Sequence, residues 1–269
     1  MAFEKTTPQG QTTWAEVTWN ESKKNPKLPF PNLRFYDKET GTISHLLEEG
    51  DRGQVRISGR LVGVSPFFRM GYNDKQNNSP EPNELRLRIA FKDDNDPTTY
   101  ALSVKLLSDT QVPQSATMQL LNLIHAFSLK IKSGEIPKET PVQLGLYRKV
   151  VGDKVYPAMT LRLPSGQDEQ GSALFDDPKN TVHAEDYAPR GKEIIGADGK
   201  PIMTPAGKAY DYTEARAWIE KTINEVLEVF GSQNGQDDHE GAEMPQDDPA
   251  DLGAAAEAAV AQAGRPRAA

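Results

Sequence analysis

The chain contains no cysteine, which excludes a disulfide framework and any thiolate metal site. It has no apolar run near the roughly 18 residues that a membrane span needs. Its first ten residues, MAFEKTTPQG, lack the apolar core of a secretory signal. Apolar residues make up only 36% of the 269, enough for one core but not for burial from end to end. A protein of a reducing cytoplasm, without a membrane partner, is the expectation. Also missing are a P-loop, an HExxH zinc motif, a nucleophile elbow and a CxxC pair. The four histidines, His45, His125, His183 and His239, show no metal-ligand spacing. Asp93, Asp94 and Asp96 lack the glycine and distal glutamate of a calcium loop and read as a hairpin turn. With no acid–base pair nominated, the chain is read as a non-enzyme without cofactor or metal.

What is present is an uneven distribution of charge. The formal net charge is -8, but residues 53–163 carry 15 basic and 10 acidic groups. Residues 1–52 carry 7 and 8, residues 164–231 carry 7 and 13, and residues 232–269 carry 2 and 8. A basic body is followed by acidic segments, so polyanions would meet the body and the tail could compete with them.

Residues 53–64, GQVRISGRLVGV, alternate in the manner of a half-buried strand, with Val55, Ile57, Gly59 and Leu61 on one face and Arg56, Ser58 and Arg60 on the other. Gly59 and Gly63 mark either a bend around a small barrel or a bulge. The stretch from Ser65 to Asn83 has no apolar period, and Pro66, Pro80 and Pro82 argue for a loop. It sets Phe67, Phe68 and Tyr72 among Arg69 and Lys75. Glu84–Phe91 and Thr98–Leu107 read as two further strands. Pro113–Ile131 reads as a helix with a broad apolar stripe, capped by Ser108 or Asp109 and ended by Gly134, with His125 as a structural residue. Pro141–Val150 and Val155–Leu163 read as a closing hairpin. Tyr147, Arg148, Lys149, Lys154 and Tyr156 gather around its turn.

Strand, strand, strand, helix, strand, strand is the chain order of the OB-fold, a five-stranded Greek-key barrel with its helix between strands 3 and 4. Its ligand face uses the loops joining strands 1–2 and 4–5, where the two basic-aromatic sets fall. The expected fold is therefore mainly β, an OB-fold core over 53–163. An N-terminal extension, 1–52, packs on it. Within that extension, Phe30–Asp37 reads as a short strand and Ile43–Leu47 as a helical turn. Trp14 and Trp19 either pack on the barrel or supply one base-stacking ring. Residues 164–231 form an irregular arm, with a hairpin over Glu193–Thr204, followed by an amphipathic helix over Tyr212–Phe230. Thr213 caps that helix and Gly231 stops it. It docks on the barrel or pairs with a second copy in a homodimer. Residues 232–269 read as a disordered acidic tail with a basic tip.

On these features the chain resembles phage-encoded single-stranded DNA-binding proteins, nearest to the group from lytic podoviruses that package a virion RNA polymerase. The resemblance rests on element order, the basic-aromatic loops and the acidic C-terminal segment. It implies sequence-tolerant coating of single strands in replication and recombination, and a tail that recruits replication or RNA polymerase proteins. The chain departs from such tails in ending AGRPRAA, with Arg265 and Arg267 and no aromatic tip.

The residues themselves suit this ligand. Bases would stack on Phe67, Phe68 and Tyr72, and on Tyr147 or Tyr156. Either Phe67 or Phe68 could instead turn inward. Arg56, Arg60, Arg69, Lys75, Arg86, Arg88, Arg148, Lys149 and Lys154 would meet phosphates. The alternative is an adaptor of the replication or transcription machinery, acting through protein contacts of its C-terminal region. A metal-dependent nuclease would need the Asp93–Asp96 cluster.

Overall fold

The computed structural model describes residues 12–19, 27–36, 40, 42–51, 53–69, 73–74, 79–80, 84–93, 99–107, 112–184, 187–205 and 207–231. The C-terminal segment expected to be disordered lies outside them.

One nine-stranded sheet dominates the described residues, and the fold is mainly β. In chain order its strands are β1 (Thr12–Thr18), β2 (Asn32–Tyr36), β3 (Ile43–His45), β4 (Gln54–Arg69), β5 (Glu84–Lys92), β6 (Thr99–Leu107), β7 (Pro141–Val151), β8 (Lys154–Arg162) and β9 (Thr181–Val182). Helix α1 (Ser115–Lys132) lies between β6 and β7, and α2 (Thr213–Phe230) follows the sheet. Across the sheet the order is β9-β8-β7-β4-β5-β6-β1-β2-β3. Neighbours are antiparallel except β1, which runs parallel to β6 from Thr12 opposite Thr99 to Glu16 opposite Ser103.

Strand β4 belongs to both halves of the sheet. Gln54 to Arg60 pairs with β7, and Arg60 to Arg69 pairs with β5. Of the two readings of its glycines, the bulge is the one observed. A bulge separates Leu61 from Gly63, and Gly59 sits at φ +153 where an added Cβ would lie 2.8 Å from the Lys92 carbonyl oxygen. The approach of β5 to β4 at this point therefore leaves no space for a side chain. The strand also runs further than expected, through Pro66, Phe67 and Phe68, which the sequence reading placed in a loop. Among the described residues, β4 is paired on one side only beyond Arg60. A proline is tolerated on such an edge because its missing N–H leaves no ladder bond unmade.

The expected order β4, β5, β6, α1, β7, β8 is observed. Closure into a barrel is not found among the described residues. The free edge of β8 takes β9, and the free edge of β6 takes β1. The N-terminal segment thus extends the sheet instead of packing outside it, and Ile43–His45 is a strand, not a helical turn.

The core lies on one side of the sheet. Val55, Ile57, Leu87, Ile89, Leu102 and Val104 point into it, as do Leu120, Leu121, Ile124 and Phe127 of α1 and Ile219, Ile223, Val226 and Phe230 of α2. Phe127 and Phe230 stack at 6.1 Å between ring centroids. Burying such a ring stabilises by about 1.5–3 kcal/mol. The apolar face of α2 is therefore buried in its own chain, which realises docking. His125 of α1 pairs with Glu225 of α2 at 2.6 Å, and Lys132 with Glu228 at 2.6 Å. Trp19 is buried, and its indole Nε1 donates to Thr117 Oγ1 at 3.2 Å.

The helix starts differ from expectation. Gln114 stands at the N-cap of α1 without a side-chain bond. At α2 the Asp211 carboxylate accepts from the Thr213 N–H at 2.9 Å, so Asp211, not Thr213, satisfies that end. Gly231 closes α2 as expected. The hairpin expected over Glu193–Thr204 is present, with Gly196 N–H donating to the Lys200 carbonyl at 2.8 Å and Ile202 N–H to Ile194 at 2.9 Å.

Candidate nucleic-acid interface

Alternation along the strands sends the opposite set of side chains to the face away from the core. In β4 that set is Gln54, Arg56, Ser58 and Arg60, between buried Val55, Ile57, Gly59 and Leu61. Residues that pair across a ladder share a face. Arg60 pairs with Lys92, Ser65 with Arg88, and Phe67 with Arg86. Arg86 in turn pairs with Lys105, and Arg88 with Ser103. Trp14 of β1 pairs with Ala101 of β6, itself paired with Ala90. One outward face thus carries Arg56, Arg60, Arg88, Lys92 and Lys105 with the half-buried Phe67 and the exposed Trp14.

The β7–β8 hairpin continues this face beyond the start of β4. Gln54 pairs with Tyr147, Tyr147 with Ala158, and Lys149 with Tyr156. Past Tyr147 the hairpin has no third strand beside it among the described residues, and Arg148 through Tyr156 are exposed. An open groove of about 530 Å³ lies at its base, lined by Gly53, Gln54, Tyr147, Arg148, Val150 and Val155. The Arg148 guanidinium sits 5.6 Å from the centre of the Phe30 ring. An added Cβ on Gly53 would lie 2.8 Å from Arg148 Nε and 2.6 Å from the Phe30 carbonyl oxygen. Glycine at this position lets the arginine lie flat against the backbone. With its oxygen turned toward Arg56, the Gln54 amide accepts from Nε at 3.2 Å and Nη2 at 3.1 Å.

Arg86 requires a correction. It is only 2% exposed, and its guanidinium is committed on every side. Nη1 donates to Glu84 Oε2 at 2.6 Å, Nη2 to Glu16 Oε1 at 2.7 Å, and Nε to Ser103 Oγ at 2.8 Å. Lys105 completes the cluster on Glu84 Oε1 at 2.6 Å, and Arg34 pairs with Glu16. Burial would raise the Glu16 carboxyl, but Arg86 and Arg34 hold it below the ordinary carboxylate value. Burial likewise acts against Glu84, and Lys105 and Arg86 hold it low. Arg86 therefore braces β1, β5 and β6 and is not a phosphate contact.

The described members of the two sets foreseen from sequence sit at opposite ends of β4, with the cationic face between them. The hairpin set, Tyr147, Arg148, Lys149, Lys154 and Tyr156, is gathered at the Gln54 end. At the other end Phe67 is on the outward face, and Phe68 and Arg69 continue the strand opposite Leu85 and Glu84. Tyr72 and Lys75 lie outside the described residues, as do Asp94 and Asp96. Lys92 and Lys105 were missed as candidates. Their signal was available, since each continues the outward alternation of its strand, after Arg86 and Arg88 in one case and Ser103 in the other. Among the described residues no group of acidic and histidine side chains could hold a metal ion, and no helix is long and apolar enough to cross a membrane.

Comparison of the chain with family models, curated proteins and solved structures gives no match in any of the three.

Proposed function

We propose that this protein binds single-stranded DNA, as the phage-encoded proteins it resembles do in replication and recombination. The observation that carries the reading is the outward face of β4, β5 and β6, continued by the β7–β8 hairpin, where cations alternate with aromatic rings. Cations meet the phosphates, and exposed rings stack with bases without reading sequence. Arg56, Arg60, Arg88, Lys149 and Lys154 are the phosphate contacts of this proposal on that face, with Arg148 joining them from the opposite side of the exposed hairpin, and Phe67, Tyr147 and Tyr156 are its stacking rings. Phe68, Arg69, Tyr72 and Lys75 belong to it on sequence grounds.

The element order and the shared strand β4 support an OB-type reading of residues 53–163. In that reading β1 takes the edge of β6 where a closed barrel would place its fifth strand. The acidic segment from Asp237 to Asp251 would compete with DNA for the basic face and recruit replication or transcription proteins. The cytoplasm of a phage host is the compartment this function requires.

A fluorescence titration with a labelled oligo-dT strand, at low and moderate salt and with a duplex control, tests the proposal. Tight binding to the single strand that falls steeply with salt supports it. Absence of binding at low salt refutes it.

A further inference from the structure

Trp14 and Trp19 leave β1 in opposite senses. Trp19 is buried against Thr117 of α1, whereas Trp14 is 38% exposed on the outward face. The Arg88 guanidinium carbon lies 5.0 Å from the centre of the Trp14 ring. On the β6 side its cross-strand neighbour Ala101, and Ala90 beyond it, are short, so no bulky side chain stands beside the ring on that side of the row. A large exposed indole on a polar, cationic surface costs solvation free energy that a core tryptophan does not.

We infer that Trp14 is a base-stacking platform and Arg88 its phosphate partner, so that the interface crosses β6 onto the N-terminal strand. The ligand chemistry is an unpaired base with its adjoining phosphate, and the inference rests on the nucleic-acid reading above. The indole offers a flat π-face to any base. Arg88 is held next to that face by its attraction to the ring, which places its charge where the phosphate of a stacked nucleotide would lie. The pairing of Glu16 with Arg86 fixes β1 two residues further on, so the ring is presented by an anchored strand and needs no ordering on binding.

The test uses the full chain and oligo-dT, reading intrinsic fluorescence and affinity together. The protein has three tryptophans, of which Trp14 is the exposed one on this face. Oligo-dT quenches the wild-type emission. Trp14→Phe retains most of the affinity and loses most of the quench. Trp14→Ala weakens binding about tenfold, as loss of one base stack should. Arg88→Ala lowers the magnitude of the log–log salt slope by about 0.7, the share of one phosphate on a single strand. Thermal melting checks that each variant folds, and if Trp14→Ala does not, the Trp14→Phe quench decides. Wild-type binding with unchanged affinity in Trp14→Ala, or an undiminished quench in Trp14→Phe, overturns this inference and leaves the proposed function standing. Failure of the wild-type chain to bind oligo-dT overturns both.

Discussion

Arg86 and Glu16, seventy residues apart, form a 2.7 Å ion pair that reaches across β6 to join β5 to β1. The pair is nearly dry on the arginine side, with 3% of that side chain exposed. Its value lies less in net stability than in position, because a buried ion pair recovers little beyond its desolvation cost. It holds the N-terminal strand in one register on a sheet edge that would otherwise be open.

Removing one partner should therefore be severe. Arg86→Ala leaves Glu16 and Glu84 without their shared cation and is expected to cost about 3–5 kcal/mol. Urea or thermal unfolding measures this. The same substitution in a protein that remains folded should leave the salt slope of DNA binding unchanged, because Arg86 does not reach the surface.

The acid limb of stability follows from the same cluster. The carboxyls of Glu16 and Glu84 are held below their ordinary value in the folded chain. The unfolded chain therefore takes up protons first as pH falls. Their contribution is complete above the unfolded value, about pH 4.3, and is lost as pH drops through the folded values. Unfolding followed from pH 6 to pH 2, both rough bounds around that value, should show stability falling in the acid part. In Glu16→Gln that part of the fall should be smaller.

Gly59→Ala tests the close approach of β5 to β4. Its φ of +153 and the Lys92 carbonyl oxygen at 2.8 Å from the added methyl both oppose the substitution. A loss of about 1–3 kcal/mol is expected from strain alone. Gly134→Ala offers a contrast, since no atom lies within 4 Å of its added Cβ, so its cost should come from backbone conformation only. Chemical denaturation of the two variants separates crowding from backbone strain.

The overhanging hairpin should report as charge. Replacing Arg148, Lys149 and Lys154 together by alanine is expected to lower the magnitude of the salt slope by about 2, at roughly 0.7 per phosphate contact. These side chains are exposed, so any fall in melting temperature should be small and come from the lost Arg148–Phe30 contact. A slope equal to the wild type's would remove the hairpin from the interface.

Much of the main sheet was legible because its strands alternate cleanly. ELRLRIAF sends Leu87, Ile89 and Phe91 inward without ambiguity, and the hairpin at Gly152 follows the same logic. What escaped the sequence depended on partners far away in the chain. TTWAEVT has alternation too, with Ala15 and Val17 buried, but the outward Trp14 and the paired Glu16 obscure it until β6 and Arg86 are seen beside them. Pro66 looked like a loop signal because nothing local says that β4 is unpaired on one side there. Arg86 looked like a surface cation because alternation assigns a face, not a degree of burial. Its partners Glu84 and Glu16 cover it, and only the first is near in sequence. Lys92 and Lys105 could have been found by carrying the alternation one step further.

The parallel seat of β1 on β6 has a consequence for the order in which the chain can assemble. Thr12 pairs with Thr99, so the first described strand, which can pair with β2 on one edge as soon as that strand is made, has nothing on its other edge until the sixth has followed it. Strand β4 gains its neighbour β7 only after α1 is made, and α2, which packs over β4, comes last. Pairings of such long sequence separation form slowly. During synthesis the alternating apolar faces of β1 and β4 must wait uncovered, so the period before residue 230 emerges is when this chain is most exposed to association with other chains.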